Sequence, residues 1–435
     1  MKLVRFRFLC CLLTLLCLCA GCDNATIPQN QYPPEKITPE NITTEEADSY
    51  MPSAMEQDEV EAYAASMQTA AVNGDELELT EQRCAEIGKT YRDLYRNAEK
   101  TTSVYMPGQE VLIQQALDKI EAHLAAAGYA VIDTDEKYPA YLQNAKGLQA
   151  FWQAVQQGKT VEQVIVWLLP NGDFVYTCLT NNSEGGAILE ASGHWNEKNM
   201  LEVMDLNKQE VLDWTLTGSN KFYYKIMETY APTIEHYTMI RLMPVDKQLY
   251  DQTAAYILPV GYDRTNLFLC DWNSKNYGKL SLNDVLEYLY LHDTGEYLDA
   301  SQFAYNSEPY YSKIPAQLFE SIILPHFDIS QAKLRQLAHY DKASNTYPWQ
   351  EQGGSNISYF PTITPEVMAC HQNKDGTITL TVNAMCTEFK TDCLFTHEVT
   401  IRPGTNGRFQ YLGNRITYRS DEQQPSSNAR LDSGK

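Results

Sequence analysis

The sequence carries none of the short motifs that announce common chemistries. No GxGxxG follows a strand pattern and no Walker A is present, so the usual nucleotide cradles are missing. No GxSxG occurs, which leaves acyl transfer without a nucleophile elbow. There is no HExxH, and beyond the leader no CxxC, so zinc and thioredoxin-like chemistry have little footing. Positive charge is short as well: 34 Lys and Arg against 56 Asp and Glu leave a formal net charge of -22. So acidic a chain is repelled by nucleic acid and by anionic lipid or teichoic-acid surfaces. These absences set the expectation of no catalytic residue, no metal and no cofactor.

What is present begins at the first residue. Lys2, Arg5 and Arg7 are followed by an apolar run from Phe8 to Leu18, broken only by Thr14, and then by the small pair Ala20-Gly21 before Cys22. That order is a secretory signal, and its apolar part is too short to span a bilayer comfortably. Leu18 to Cys22, Leu-Cys-Ala-Gly-Cys, resembles the lipobox of bacterial lipoproteins, with Cys19 standing where that family usually has Leu. The resemblance implies cleavage before Cys22 and attachment of a diacylglyceryl group to its thiol. Two acyl chains, at roughly 0.8 kcal/mol per buried methylene, give stable anchoring where one would not. The expected location is the cell membrane, lipid-anchored and facing outside the cytoplasm, with the membrane itself as a partner.

The leader's three positive charges go with it, so the mature chain is near -25. Apolar residues make up 43% and charged residues 21%, enough to bury a core and too few charges for general disorder. Of 11 cysteines, six lie beyond the leader: Cys84, Cys178, Cys270, Cys370, Cys386 and Cys393. An even number in an exported chain permits disulfides. A bridge among Cys370, Cys386 and Cys393, close together on strands expected to pair, is set against small buried thiols.

Periodicity divides the rest. Residues 1–21 form the signal peptide, and 22–55, rich in Pro, Asn, Thr and Glu, read as the lipidated cysteine and a disordered tether. A main unit over 56–305 opens with helices, a loosely attached one over the Ala- and Glu-rich stretch 56–71, one from Thr80 with Cys84, Ile87, Tyr91 and Tyr95 at helical spacing, and another over Val111 to Leu124 stopping at Gly128. Val164–Leu169, a Pro170-Asn171-Gly172 turn and Phe174–Leu179 predict a hairpin. Strands follow over 187–194, 201–206, 211–216 and 222–227; strands over 237–242 and 257–260 flank a helix over 246–255, 267–272 is a buried strand, and Ser281 caps a helix over 282–291 whose Asp284 suits the first turn. A C-terminal unit over 306–419 has helices opened by Pro315 and Ser330, then strands over 367–371, 378–382, 394–401 and 409–418. Residues 420–435 read as a disordered tail. The fold class is α+β: helices and an antiparallel-sheet unit, then a smaller helix-helix-then-antiparallel-sheet roll. By analogy alone that order is cystatin-like or nuclear-transport-factor-2-like.

Two stretches, ILPVGYDRTNLFLCDWNSKNYGKLSLNDVLEYLY at 257–290 and IPAQLFESIILPHFDISQAKLRQLAHYDKASNTY at 314–347, resemble a family of uncharacterised lipoproteins from Clostridia and related gut Firmicutes. The resemblance implies a Gram-positive host and an extracytoplasmic position. It brings no activity and no functional residue beyond the lipidated Cys22.

Candidate chemistry is thin. The eight histidines are His123, His194, His236, His292, His326, His339, His371 and His397, and local pairs such as His292-Asp293 and His339 with Asp341 are of the kind chance supplies. Asp271, Asn273 and Lys275 superficially resemble a calcium loop, but lysine at the fifth position and Asn276 at the sixth break the ligand pattern. The 29 tyrosines are the remaining oddity. Clusters at Tyr223-Tyr224, Tyr288-Tyr290 and Tyr310-Tyr311 suit stacking on sugars or peptides, against the plainer role of packing half-exposed strands. The reading that follows is a non-enzymatic binding or scaffolding protein of the envelope, with envelope proteins or glycans as partners. It predicts an exposed aromatic or apolar patch in a groove or between the units. The alternative is an envelope hydrolase of glycan or peptide that works through carboxylates.

Overall fold

The structure is a computed structural model, and it describes residues 73–432 except 104–107, 133–136, 228–234, 264, 308–309, 352–361, 406 and 426–428. The signal, Cys22, the tether and the helix expected near 56–71 lie outside the described residues.

Helix α1 (Gly74–Arg96) starts at a capping box: Asn73 Oδ1 accepts from the Glu76 amide at 2.9 Å, and Glu76 Oε2 accepts from the Asn73 amide at 3.2 Å. Its buried stripe is Cys84, Ile87, Tyr91 and Tyr95, at the spacing the sequence shows. Strands β1 (Lys100–Thr102) and β2 (Glu110–Leu112) pair before α2 (Gln114–Ala126), so the expected helix from Val111 begins a turn late. Next come β3 (Ala130–Ile132), β4 (Leu142–Gln143) and α3 (Lys146–Gln156). The predicted hairpin is β5 (Val161–Leu168) and β6 (Phe174–Asn182), with Leu168 opposite Phe174. Gly172 in its turn has a φ of +86°, and a Cβ there would stand 2.6 Å from the Tyr95 ring, so both backbone and packing require glycine.

The meander continues through β7 (Gly185–Trp195), β8 (Leu201–Leu216), β9 (Lys221–Met227) and β10 (Glu235–Arg241). The two strands expected at 201–206 and 211–216 are one strand, β8. Its register shifts against β7 between Glu190 and Ser192 and against β9 between Val211 and Asp213. These bulges absorb the break in alternation that read as a gap. The eight-stranded sheet runs β10-β9-β8-β7-β6-β5-β3-β4, antiparallel except for β3 against β5. Its central strands are buried on both faces. One face packs Val166, Tyr176 and Trp195 under α1 and α2; the other packs Ile165, Leu179 and Phe222 with Leu148 and Phe151 of α3.

A separate core gathers Ile257 to Tyr411. It holds α4 (Lys247–Gln252), a π turn over Thr253–Ile257, β11 (Trp272–Asn273), α5 (Leu282–Thr294), β12 (Ala304–Ser307), β13 (Tyr310–Pro315), α6 (Ala316–His326), α7 (Gln331–Leu337), β14 (Thr346–Trp349), β15 (Ile363–Gln372), β16 (Ile378–Cys386), β17 (Thr391–Pro403) and β18 (Phe409–Arg419). Residues on both sides of position 305 thus share one core. The strands expected at 257–260 and 267–272 are instead a helical turn and a tight turn, with only Trp272–Asn273 extended. A short apolar run is equally consistent with either shape. The indole of Trp272 donates back to the Leu267 carbonyl at 2.8 Å, which closes that turn.

The five-stranded sheet β11-β18-β17-β16-β15 carries the helix-then-sheet order of the C-terminal unit. Chain after 420 is partly fixed: Arg430 is buried, and its Nε and backbone N–H reach the Asp284 carboxylate at 3.1 Å each. The polar composition that suggested a disordered tail hides this one arginine. The two regions meet across a charged seam. Arg241 Nη1 lies 2.6 Å from Glu366 Oε1, Lys221 Nζ lies 2.9 Å from Glu366 Oε2, and the Tyr223 hydroxyl donates to Asp392 at 3.1 Å. Burial pushes the Glu366 carboxyl up, but Arg241 and Lys221 outweigh it and hold it below its ordinary range. Among the described residues no helix is long and apolar enough to cross a membrane.

Candidate functional site

The expected aromatic patch has a counterpart on the β12–β13 hairpin. Register places Tyr305 opposite Ser312 and Ser307 opposite Tyr310, so the two tyrosines stand diagonally across the strand pair. Their rings meet edge to face at 4.8 Å and 77°. Tyr305 is 50% exposed and Tyr310 is 60% exposed. They rim a cleft of about 310 Å³ completed by Ala300, Ser301, Phe303, Ser312 and Glu351. Chemically the described lining offers three aromatic rings, four hydroxyls that donate or accept (Ser301, Tyr305, Tyr310 and Ser312), and one carboxylate acceptor. The other tyrosine clusters are structural: Tyr223 and Tyr224 are buried in the large sheet, and Tyr288 is buried on α5.

A second cleft, of about 240 Å³, lies beside α1 and is lined by Arg83, Glu86, Ile87, Tyr129, Glu162, Val164 and Tyr176. Its arginine is already matched. Arg83 Nη2 lies 2.6 Å from Glu162 Oε1, and Arg83 Nη1 donates to the Tyr176 hydroxyl at 3.0 Å.

The histidines separate by environment. His397 is wholly buried between β16 and β18, where its Nδ1–H donates to Asn414 Oδ1 at 2.7 Å and its Nε2 accepts from the Tyr262 hydroxyl at 2.8 Å. Asn414 Nδ2 donates to the Cys270 carbonyl at 2.9 Å, which fixes the amide's orientation and with it the neutral tautomer. Burial takes the His397 pKa down to about 4, against a small upward pull from Asn414.

His292, Asp293 and His326 come together instead. His292 and Asp293 sit in the last turn of α5, and His326 ends α6. Asp293 Oδ1 is 3.0 Å from both His292 Nδ1 and His326 Nε2. Burial raises the Asp293 carboxyl, but the two imidazoles outweigh it and hold it well below the carboxylate range. The pair His292-Asp293 was visible in the sequence. Its third member, 33 residues from Asp293, gave no local signal.

The other sequence candidates are placed plainly. The six cysteines beyond the leader are free. Cys370 lies opposite Leu380, whereas Cys386 lies opposite Ile363 and Thr391, so register keeps Cys370 and Cys386 seven residues apart along the ladder. Cys393 Sγ contacts Thr396 Oγ1 at 3.1 Å, and Cys386 Sγ donates to Glu388 at 3.4 Å, so each thiol has its own neighbour in place of a bridge. The oxygens of the calcium-like stretch serve the backbone: Asn273 Oδ1 accepts from Lys275 and Asn276, and Asp271 Oδ1 accepts from Ile416. Cys22 lies outside the described residues.

A model for a family of unknown function, DUF6070, matches residues 78–430, and the chain belongs to that family. No curated protein and no solved structure matches the chain.

Proposed function

We propose that this chain is a lipid-anchored extracytoplasmic protein that binds an envelope glycan in the Tyr305–Tyr310 cleft without altering it. The anchor reading rests on the leader and on Cys22. The binding reading rests on one observation: two large tyrosines, each half exposed or more, held edge to face over a cleft with hydroxyl and carboxylate neighbours. An aromatic face covers the C–H side of a sugar ring, and the flanking polar groups satisfy its hydroxyls. Neutral glycans also suit a protein whose formal charge is -22. The C-terminal roll, cystatin-like or nuclear-transport-factor-2-like in its order of elements, would present this hairpin to the envelope.

The hydrolase alternative has less to build on. Among the described residues lining the cleft Glu351 is the one carboxylate, and glycoside hydrolysis through carboxylates takes two. Titration of the full chain with a defined N-acetylglucosamine oligomer tests the reading. Tyr310→Ala and Tyr305→Ala should each weaken binding at least about tenfold with no change in Tm. Equal affinity in both variants removes the cleft, and release of shorter oligomers favours the hydrolase. Labelling cells with a fatty-acid analogue tests the anchor: Cys22→Ala should abolish the label.

A further inference from the structure

We propose that His292, Asp293 and His326 form a binding site for a first-row divalent transition-metal ion such as zinc. The site is independent of the aromatic cleft and would stand if glycan binding failed.

His326 is buried, and its Nδ1 lies 3.1 Å from the Phe409 carbonyl oxygen. A carbonyl only accepts, so Nδ1 carries the hydrogen. The opposite nitrogen, Nε2, then points its lone pair at the Asp293 carboxylate 3.0 Å away. Two acceptors face to face repel unless a cation stands between them, either a proton on Nε2 or a metal. His292 Nδ1 approaches the same carboxylate oxygen at the same distance. A histidine whose second nitrogen donates to a backbone carbonyl is held in the tautomer and orientation a metal ligand needs.

Spacing and field agree. The three ligand atoms lie within 4.8 Å of one another. Ligands ~2.1 Å from one ion stand between about 3 and 4 Å apart, so small side-chain adjustment closes the set onto an ion. The cluster sits where α5 and α6 both end, and helix C-termini carry partial negative charge. A carboxylate added there is unfavourable alone and favourable beside a cation. The Phe409 ring lies 5.4 Å from the His292 ring and 5.2 Å from that of His326, walling one side with apolar surface. Side-chain exposures of 26% at His292 and 29% at Asp293 leave the other side open to solvent. Two imidazoles and one carboxylate suit zinc and its first-row neighbours, and three protein ligands leave positions for water or an exogenous donor.

The test uses the full chain in detergent micelles, stripped with EDTA and titrated with Co²⁺ followed by Zn²⁺ competition. One equivalent should bind, with visible bands of nitrogen and oxygen ligation and no strong thiolate absorption. Asp293→Asn and His292→Gln should each weaken binding at least about tenfold. Zn²⁺ should raise the Tm of the parent chain and of neither variant. The melting temperature of the metal-free variants confirms that they fold, which keeps the test sound should His326→Gln fail to fold. Absence of saturable Co²⁺ binding would leave a proton as the only cation and overturn the proposal. So would binding that survives both substitutions, or a thiolate spectrum from the leader cysteines.

Discussion

Two buried histidines of one core are held in opposite ways. His397 lies between a tyrosine hydroxyl and a carboxamide, both neutral, and its hydrogen-bond ring closes with no charge. His326, equally buried, has a carbonyl on one side and a carboxylate on the other, and its ring closes only when a cation is supplied. Burial is the same in both and does not separate them. The partner opposite the second nitrogen does: a hydroxyl can donate to it, and a carboxylate cannot. A buried histidine is therefore read as structural or as a ligand from its partners.

That comparison can be broken in four ways. The largest effect is expected from His397→Ala, which opens a cavity and leaves Tyr262 and Asn414 without their partner. It should cost about 3–5 kcal/mol in urea unfolding. A loss below about 1 kcal/mol would show that the site is not the close-packed neutral ring described.

Acid should reveal the same group. The folded pKa of His397 is depressed from 6.5 to about 4, so the unfolded chain binds the extra proton between those values. The contribution is fully present above pH 6.5 and is lost as pH falls through 4. It amounts to about 3 kcal/mol, read from unfolding midpoints across that window. Stability that does not fall there would mean His397 is charged in the folded state.

Tyr262→Phe is gentler. It removes the one donor to Nε2 while keeping the ring that packs against Phe268 and Phe395, and should cost about 1–2 kcal/mol. It should also raise the folded pKa of His397, visible by NMR of the imidazole. The smallest effect belongs to the other histidine. In metal-free protein at pH 8, Asp293→Asn should shift stability by about 0.5 kcal/mol or less, because an amide can donate to the Nε2 lone pair the carboxylate opposed. A loss of several kcal/mol there would mean that the carboxylate pairs with imidazolium and needs no metal.

Some of this was legible in the chain. The hairpin of β5 and β6 followed from alternation around Pro170-Asn171-Gly172, and α1 from its apolar spacing, because both signals are local. The aromatic cleft was half visible: Tyr310 was marked, but Tyr305 and Phe303 were not, since only strand register brings them to one rim. The run Leu267–Trp272 misled because burial comes from turns as readily as from strands. Arg430 was hidden in a polar tail, and its partner Asp284 reads in the sequence only as a residue that suits the first turn of a helix. In the structure the two are buried against each other.

The leader, the lipobox-like Cys22, the acidic balance and the places where strands and helices start belong to neighbouring residues, and the sequence alone determined those readings. Tertiary structure decided which histidine is closed by neutral groups and which faces a carboxylate. It also left the cysteines apart and joined His326 to a pair 33 residues away. Periodicity records which face of an element is buried, but the partner across the core comes from another element, and only packing brings the two within 3 Å.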